Sequence, residues 1–401
     1  MSLLLKPKTA QRMPSDELST LARRAAQALA ARSSRRAFDE IVDCLSRLGG
    51  TEWRHEYEPV AQAESTAPEA GVPDAEHLIT LYGINESHPG PRWQALFDEL
   101  WPAYRSWYLS EGSAARSDLA TCSAQLAKHM PELVPTWKRL VALAGDDEVA
   151  SAMLTMWNPP KFLPGCSQAV LTGPEPALVR NYDYSPALFE QVVYSSAFGD
   201  RKVIGTGDCL WGLLDGMNDA GLAVSLAFGG RPGTGPGFAA PLIVRYLLEV
   251  ATTTAEAVRV LRRVPISMSY NLTIVDRFGA ATTAALAPQT EPLFTSAAAA
   301  TNHRGSHPDD PAHARRFRSV ERLEHLQECL ATSPTVDTLA EQFLARPLFN
   351  DQYDQAFGTL YTAVYRPQSG SVTYRWADDT WTRTFTSPDE VKTVTLRKGS
   401  L

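Results

Sequence analysis

At about residue 165 the chain changes texture, and that change limits the architectures open to it. Before it, apolar residues recur at helical spacing over 17–48 and 93–157, with a Pro/Ala/Glu-rich linker at 61–73 between the two stretches. After it, short runs rich in β-branched and aromatic residues predict strands. The first two, 169–171 and 177–182, flank the turn-forming run Thr172-Gly173-Pro174-Glu175-Pro176. Further strands are expected at 191–196, 202–205, 221–228, 270–275, 280–286, 293–295, 359–365 and 372–375, and helices at 239–251, 254–263, 315–331 and 336–345. Strands, two successive helices, strands and helices again predict an α+β protein of antiparallel sheets flanked by helix layers, not a doubly wound parallel sheet. The expected divisions are a helical arm and linker at 1–73, a mainly helical segment at 74–165 and a strand-rich domain at 166–401.

Composition removes several classes of function. With 401 residues, 44% hydrophobic and 21% charged, the chain has material for a large core. A net charge of −7 supplies no positive field for nucleic acid or an anionic membrane, and the basic run Arg315-Arg316-Phe317-Arg318 is too short to change that. Residues 1–14 hold no apolar stretch of signal-peptide length and no later segment approaches a membrane span, so a cytoplasmic location is expected. Cys44, Cys122, Cys166, Cys209 and Cys329 are an odd set without a Cys-x-x-Cys pair, which argues against a disulfide framework and a zinc knuckle. His303, His307 and His313 with Asp309 and Asp310 match no ligand spacing, so a solvated loop and no metal are expected. The Gly/Pro run at 229–237 lacks the Gly-Lys-Ser/Thr ending of a phosphate cradle and reads as a flexible loop over a pocket mouth. Gly-x-Ser-x-Gly and His-Glu-x-x-His do not occur.

A cysteine in apolar text is ordinarily a packed thiol. Cys166 has neighbours that favour another role: Gly165 precedes it, and it stands where strand-like sequence begins. A chain that cuts itself at Gly165-Cys166 would expose an α-amine with a reference pKa of about 7.7–8.0 beside the thiol, so one residue would supply nucleophile and base. Gly165, lacking a Cβ, tolerates the strained backbone such an attack needs.

Arg180 and Asp183 return to Cys166 across the predicted hairpin; Asp183 is expected to hold the α-ammonium and Arg180 to lower the thiol pKa. Their alternative is an ordinary salt bridge. Asn218, in a turn before the apolar strand at 222–226, and Asn302, after a small-residue strand, are candidate oxyanion donors, or simply turn residues. The aromatics Trp101, Tyr104, Trp107 and Tyr108 stand at helical spacing, which favours core over substrate contact.

Gly165-Cys166, Arg180-Asn181-Tyr182-Asp183, Gly216-Met217-Asn218 and Thr301-Asn302-His303, in this order, resemble the N-terminal-nucleophile (Ntn) hydrolases. The branch most resembled contains acyl-coenzyme A:6-aminopenicillanic acid acyltransferase; choloylglycine hydrolase and penicillin V acylase are more distant. The resemblance covers 165 to about 386 and includes Ser319-Val320-Glu321-Arg322-Leu323, which adds Ser319 and Arg322 as supporting residues. It implies a four-layer αββα sandwich with 166–401 as the catalytic domain. It also implies self-cleavage, and acyl transfer from a small linear amide or acyl thioester through a Cys166 acyl-enzyme. No cofactor is implied, and an α/β heterodimer follows from the cut. Two other readings stay open: an uncleaved thiol hydrolase with His303 or His129 as base, and a catalytically silent ligand-binding homologue.

Overall fold

The computed structural model describes residues 77–161, 165–231, 233–305, 308–353 and 357–396. The arm and linker expected over 1–73 lie outside them, as does His307.

Strand β1 (His77–Glu86) comes first and is followed by helices α1 (Pro91–Tyr108), α2 (Leu119–His129), α3 (Val134–Leu143) and α4 (Glu148–Leu154). Asp118 and Asp147 cap α2 and α4, their carboxylates accepting from the Thr121 and Ala150 N–H groups. The strand-rich part then runs through β2 (Gly165–Leu171), β3 (Ala177–Tyr184), β4 (Val192–Ser196), β5 (Val203–Asp208), β6 (Gly212–Asn218) and β7 (Leu222–Phe228). Helices α5 (Ala240–Val250) and α6 (Thr254–Leu261) precede β8 (Tyr270–Asp276), β9 (Ala281–Leu286), β10 (Leu293–Thr295) and β11 (Ala299–Ala300). Next come α7 (Pro311–Arg316), α8 (Ser319–Ala331) and α9 (Val336–Phe343), and the closing strands β12 (Gly358–Arg366), β13 (Ser371–Arg375), β14 (Thr380–Thr384) and β15 (Glu390–Leu396).

Two sheets form. One has the order β10-β9-β8-β7-β6-β5-β4-β1-β15, antiparallel except where β1 meets β4; the other, β11-β2-β3-β12-β13-β14, is antiparallel throughout. They pack face to face through β2 and β3 against β7 and β8, with α5 and α6 outside the larger sheet and α8 and α9 outside the smaller. The expected four-layer αββα sandwich is therefore present. Because both faces of β2 and β3 are covered, their sequences are nearly continuously buried and do not alternate. One apolar core lies between the sheets, and a second, built on Ala169, Val179, Leu326, Leu339 and Phe343, lies beneath α8 and α9.

Three features depart from the sequence reading. Of the run Gly216 to Gly221, expected as a turn, Gly216 to Asn218 end strand β6. The helix expected over 315–331 is two, separated where Arg318 adopts a left-handed backbone at φ 51°. The segment before Cys166 also contributes β1, hydrogen-bonded to β4 on one side and β15 on the other.

Of the four aromatics on α1, Tyr108 is buried, whereas Trp101, Tyr104 and Trp107 are half-buried against the core. The Tyr104 hydroxyl donates to Glu190 Oε1 and lies 3.4 Å from Asp208 Oδ1. Burial pushes both carboxyls up, Glu190 to about 8 with the Asp208 charge adding to the rise. A carboxyl that keeps its proton when folded but loses it near pH 4.3 when unfolded makes folding costlier as pH rises between the two values. The stability of Glu190→Gln relative to the native chain should accordingly increase from about pH 5 to about pH 8 in denaturant titrations. A difference independent of pH would refute the shift.

Candidate active site

In the β2–β3 hairpin Cys166 lies opposite Tyr182, Gln168 opposite Arg180 and Gly165 opposite Asp183. Strand alternation therefore puts Cys166, Gln168, Arg180 and Tyr182 on the face between the sheets, and Gly165, Ser167, Asn181 and Asp183 on the face beneath α8 and α9. The nucleophile candidate sits on a strand approached by a different arginine from each side.

On the inner face the Cys166 sulfur is fully buried and accepts from Arg180 Nη2 at 2.9 Å. A buried guanidinium is costly unless paired. Arg180 donates from Nη1 to Asp215 Oδ2 at 2.5 Å and to the Leu214 carbonyl at 3.0 Å. Asp215 is itself ringed by donors: Tyr361 at 2.6 Å, Thr206 at 2.9 Å and the Tyr365 hydroxyl. The Arg180 cation also lies 5.1 Å from the Tyr182 ring centroid. Burial pushes the thiol up to about 11; the Arg180 cation opposes this and the Asp183 charge adds to it. Burial thus favours the protonated thiol, with the Arg180 guanidinium beside it.

On the outer face Arg322, from α8, donates through Nη1 to the Cys166 carbonyl and to Ser167 Oγ, both at 2.7 Å. Its Nη2 donates to Asn302 Oδ1 at 2.7 Å. Asp183 lies 3.7 Å from Arg322 Nη1 and accepts from Thr359 at 2.7 Å. Burial raises the Asp183 carboxyl pKa, with Arg322 and Thr359 opposing. The Cys166 backbone N–H, which would become the α-amine after a cut, donates to Asn302 Oδ1 at 3.1 Å, so in the uncleaved chain it is Asn302 that holds this nitrogen. Asn302 Nδ2 donates to the Phe228 carbonyl at 3.1 Å, which sets the orientation of the amide.

Cys166, Arg180, Asp183, Asn302 and Arg322 thus meet at one point. Ser319 lies one step away: its hydroxyl is 2.7 Å from His303 Nδ1 and its carbonyl accepts from Thr301 at 2.8 Å. Asn218 does not join them. Its amide donates to the carbonyls of Leu248 and Ala251 at the end of α5, and its Oδ1 accepts from Leu222 N, so it closes a helix terminus. Both amide hydrogens of Asn218, the residue expected at the oxyanion, are donated to these carbonyls. Neither histidine considered as a base touches the sulfur: His303 faces Ser319 and Thr301, and His129 Nδ1 faces the Arg263 carbonyl. Among the described residues no His, Cys, Asp or Glu cluster could hold a metal ion.

The Gly/Pro loop lies against this centre. Gly230 has φ +81°, and a Cβ there would stand 2.6 Å from the Asn302 carbonyl oxygen. At Gly165 an added Cβ would meet only side chains, Phe357 Cζ at 2.7 Å and Asp183 Cβ at 3.3 Å. Sequence reasoning missed Asp215, Tyr361 and Tyr365. The available signal was a lone carboxylate in the apolar run Leu213-Leu214-Asp215, where burial demands compensating donors.

The sequence model of the family described as acyl-coenzyme A:6-aminopenicillanic acid acyl-transferase matches residues 170–381. The chain belongs to this family. It is accordingly an enzyme. No curated protein sequence matches it. Among solved structures, a mutant of conjugated bile acid hydrolase from Clostridium perfringens is similar at 11% identity, covering 57% of this chain and 96% of its own, with a TM-score of 0.40. Penicillin V acylase from Agrobacterium tumefaciens is similar at 15% identity, over 57% of this chain and 90% of its own, with a TM-score of 0.38. The Caenorhabditis elegans N-acylethanolamine-hydrolyzing acid amidase ortholog is similar at 16% identity, over 51% and 92%, with a TM-score of 0.35. Among the described residues no helix is long and apolar enough to cross a membrane.

Proposed function

We propose that the chain cuts itself between Gly165 and Cys166 and then transfers acyl groups from small linear amides or acyl thioesters to water or an amine through Cys166. The observation that carries this reading is the clamp on one residue. Arg180 holds the Cys166 sulfur, while Asn302 holds its nitrogen and Arg322 its carbonyl. A merely packed cysteine needs none of these three.

In the maturation step the sulfur attacks the Gly165 carbonyl. A C–S bond forms, the C–N bond to Cys166 breaks, and the thiol proton passes to the departing nitrogen. Water then hydrolyses the thioester, leaving a Gly165 carboxylate and a free thiol and amine on Cys166. In turnover the new amine takes the thiol proton, the thiolate is stabilised by Arg180, and the substrate carbonyl becomes a Cys166 thioester as its leaving group accepts the proton. Asp183, opposite Gly165, is assigned to the ammonium that forms. The Asn302 Nδ2 hydrogen not used by Phe228 is assigned to the oxyanion.

Intact mass tests the reading: fragments of residues 1–165 and 166–401 are expected, the latter beginning at Cys166. They should co-elute under native conditions, because β1 remains hydrogen-bonded between β4 and β15. A single uncut chain after prolonged incubation would overturn the proposal.

A further inference from the structure

Three polar side chains, Gln168 on β2, Ser225 on β7 and Asn271 on β8, are buried between the two sheets, where packing alone calls for apolar groups. They are joined to one another: Ser225 Oγ donates to Gln168 Oε1 at 2.5 Å, and Gln168 Nε2 donates to the Asn271 carbonyl at 3.0 Å. Asn271 then spends both hydrogens of its own amide on one tripeptide, donating to the Thr301 carbonyl at 3.0 Å and to the His303 carbonyl at 2.9 Å. Those two carbonyls flank Asn302.

The topology explains why such a hold is needed. β11 pairs with β2 through Ala299 and Ala300, opposite Ala169 and Gln168, and from Thr301 onward the chain leaves that ladder. Buried carbonyls outside a ladder require donors from elsewhere. On the opposite side, the Ser319 carbonyl on α8 accepts from the Thr301 hydroxyl, and the Ser319 hydroxyl meets His303 Nδ1 at 2.7 Å. Each neighbour of Asn302 is thus gripped twice, through its backbone by β8 and through its side chain by α8. Gln168 stands two residues past Cys166, on the same face of β2. Asn271 therefore bonds both to the strand of the nucleophile and to the loop of Asn302, and fixes one against the other.

We infer that Asn271 is a positioning residue that holds the Asn302 amide in place against the Cys166 nitrogen, with Gln168 as its strut to β2. The consequence for turnover rests on Asn302 acting at the oxyanion.

The test is Asn271→Leu, which nearly keeps the side-chain volume and removes both donors. A crystal structure of this variant in the uncut Cys166→Ala background should show the Asn302 amide displaced from the nitrogen of residue 166 by about 1 Å or more, the scale at which catalytic geometry fails. An unmoved Asn302 overturns the inference. If Asn271→Leu does not fold, Asn271→Ser, which keeps one donor, takes its place with the same expectations. With Cys166 intact, turnover of N-octanoyl-4-nitroanilide by the folded variant should lose at least about tenfold in kcat while KM changes by less than about threefold. Added to Asn302→Ala, Asn271→Leu should cost nothing further, because the group it positions is already gone. A second loss of the same size there would make the role of Asn271 merely structural and overturn the inference. Wild-type kcat in Asn302→Ala overturns the oxyanion role, and no turnover by the wild-type chain overturns acyl transfer; in either case a displaced Asn302 leaves the positioning role standing.

Discussion

Cys166→Ala is expected to remain one uncut chain and to lose turnover, by roughly 10⁶-fold if it behaves as removal of a covalent nucleophile does elsewhere. In the proposed scheme one sulfur serves both steps, so both readouts should vanish together. The substitution exchanges a fully buried thiol for a methyl and leaves Arg180 its bonds to Asp215 and Leu214, so the chain should still fold. Intact mass and an acyl-release assay on the same preparation check this. Cys329→Ala, whose half-buried thiol lies on α8 beside His325, is the control and should change neither. Wild-type cleavage or wild-type rates in Cys166→Ala would sink the mechanism.

The second large effect is expected at Asp215. In Asp215→Ala the Arg180 guanidinium, fully buried, loses its counter-ion, and Tyr361 and Tyr365 lose the acceptor for their hydroxyls. Removing one partner of a buried pair typically destabilises by about 3–5 kcal/mol, because the remaining charge stays desolvated. Denaturant titration should register that loss, and turnover should fall as well, since Arg180 is then no longer fixed 2.9 Å from the sulfur. Asp215→Asn keeps an acceptor for the tyrosines and should recover part of the stability. Equal stability of the alanine variant and the native chain would remove Asp215 from this account.

The hairpin shows how far local text reaches. The run Thr172 to Pro176 turns the chain wherever it stands, and two apolar segments around it can only pair back on each other, so Cys166 and Arg180 were legible as neighbours. Both Arg180 and Asp183 were expected at Cys166, whereas strand parity puts them on opposite faces, with Arg322 arriving from outside to bind Asp183. For Asn218, a turn asparagine and a helix-closing asparagine look alike in sequence. The distinction lies in the carbonyls of Leu248 and Ala251, some 30 residues away in the chain. β1 was overlooked because its partners β4 and β15 are remote in sequence, and four helices follow it directly.

What the sequence determined by itself is whatever depends on near neighbours. That covers the change from helical to strand-forming text at 165, the β2–β3 hairpin, the glycine before Cys166 and the absence of a positive field. What only the tertiary structure decided is which distant groups share one small volume. Asp215 behind Arg180, Arg322 across β2, Asn302 on the Cys166 nitrogen and Asn271 on the carbonyls beside Asn302 each join residues tens to more than a hundred positions apart. Periodicity and turn chemistry act over a few residues, whereas burying a charge requires partners drawn from anywhere in the chain, and packing the two sheets together is what selects them.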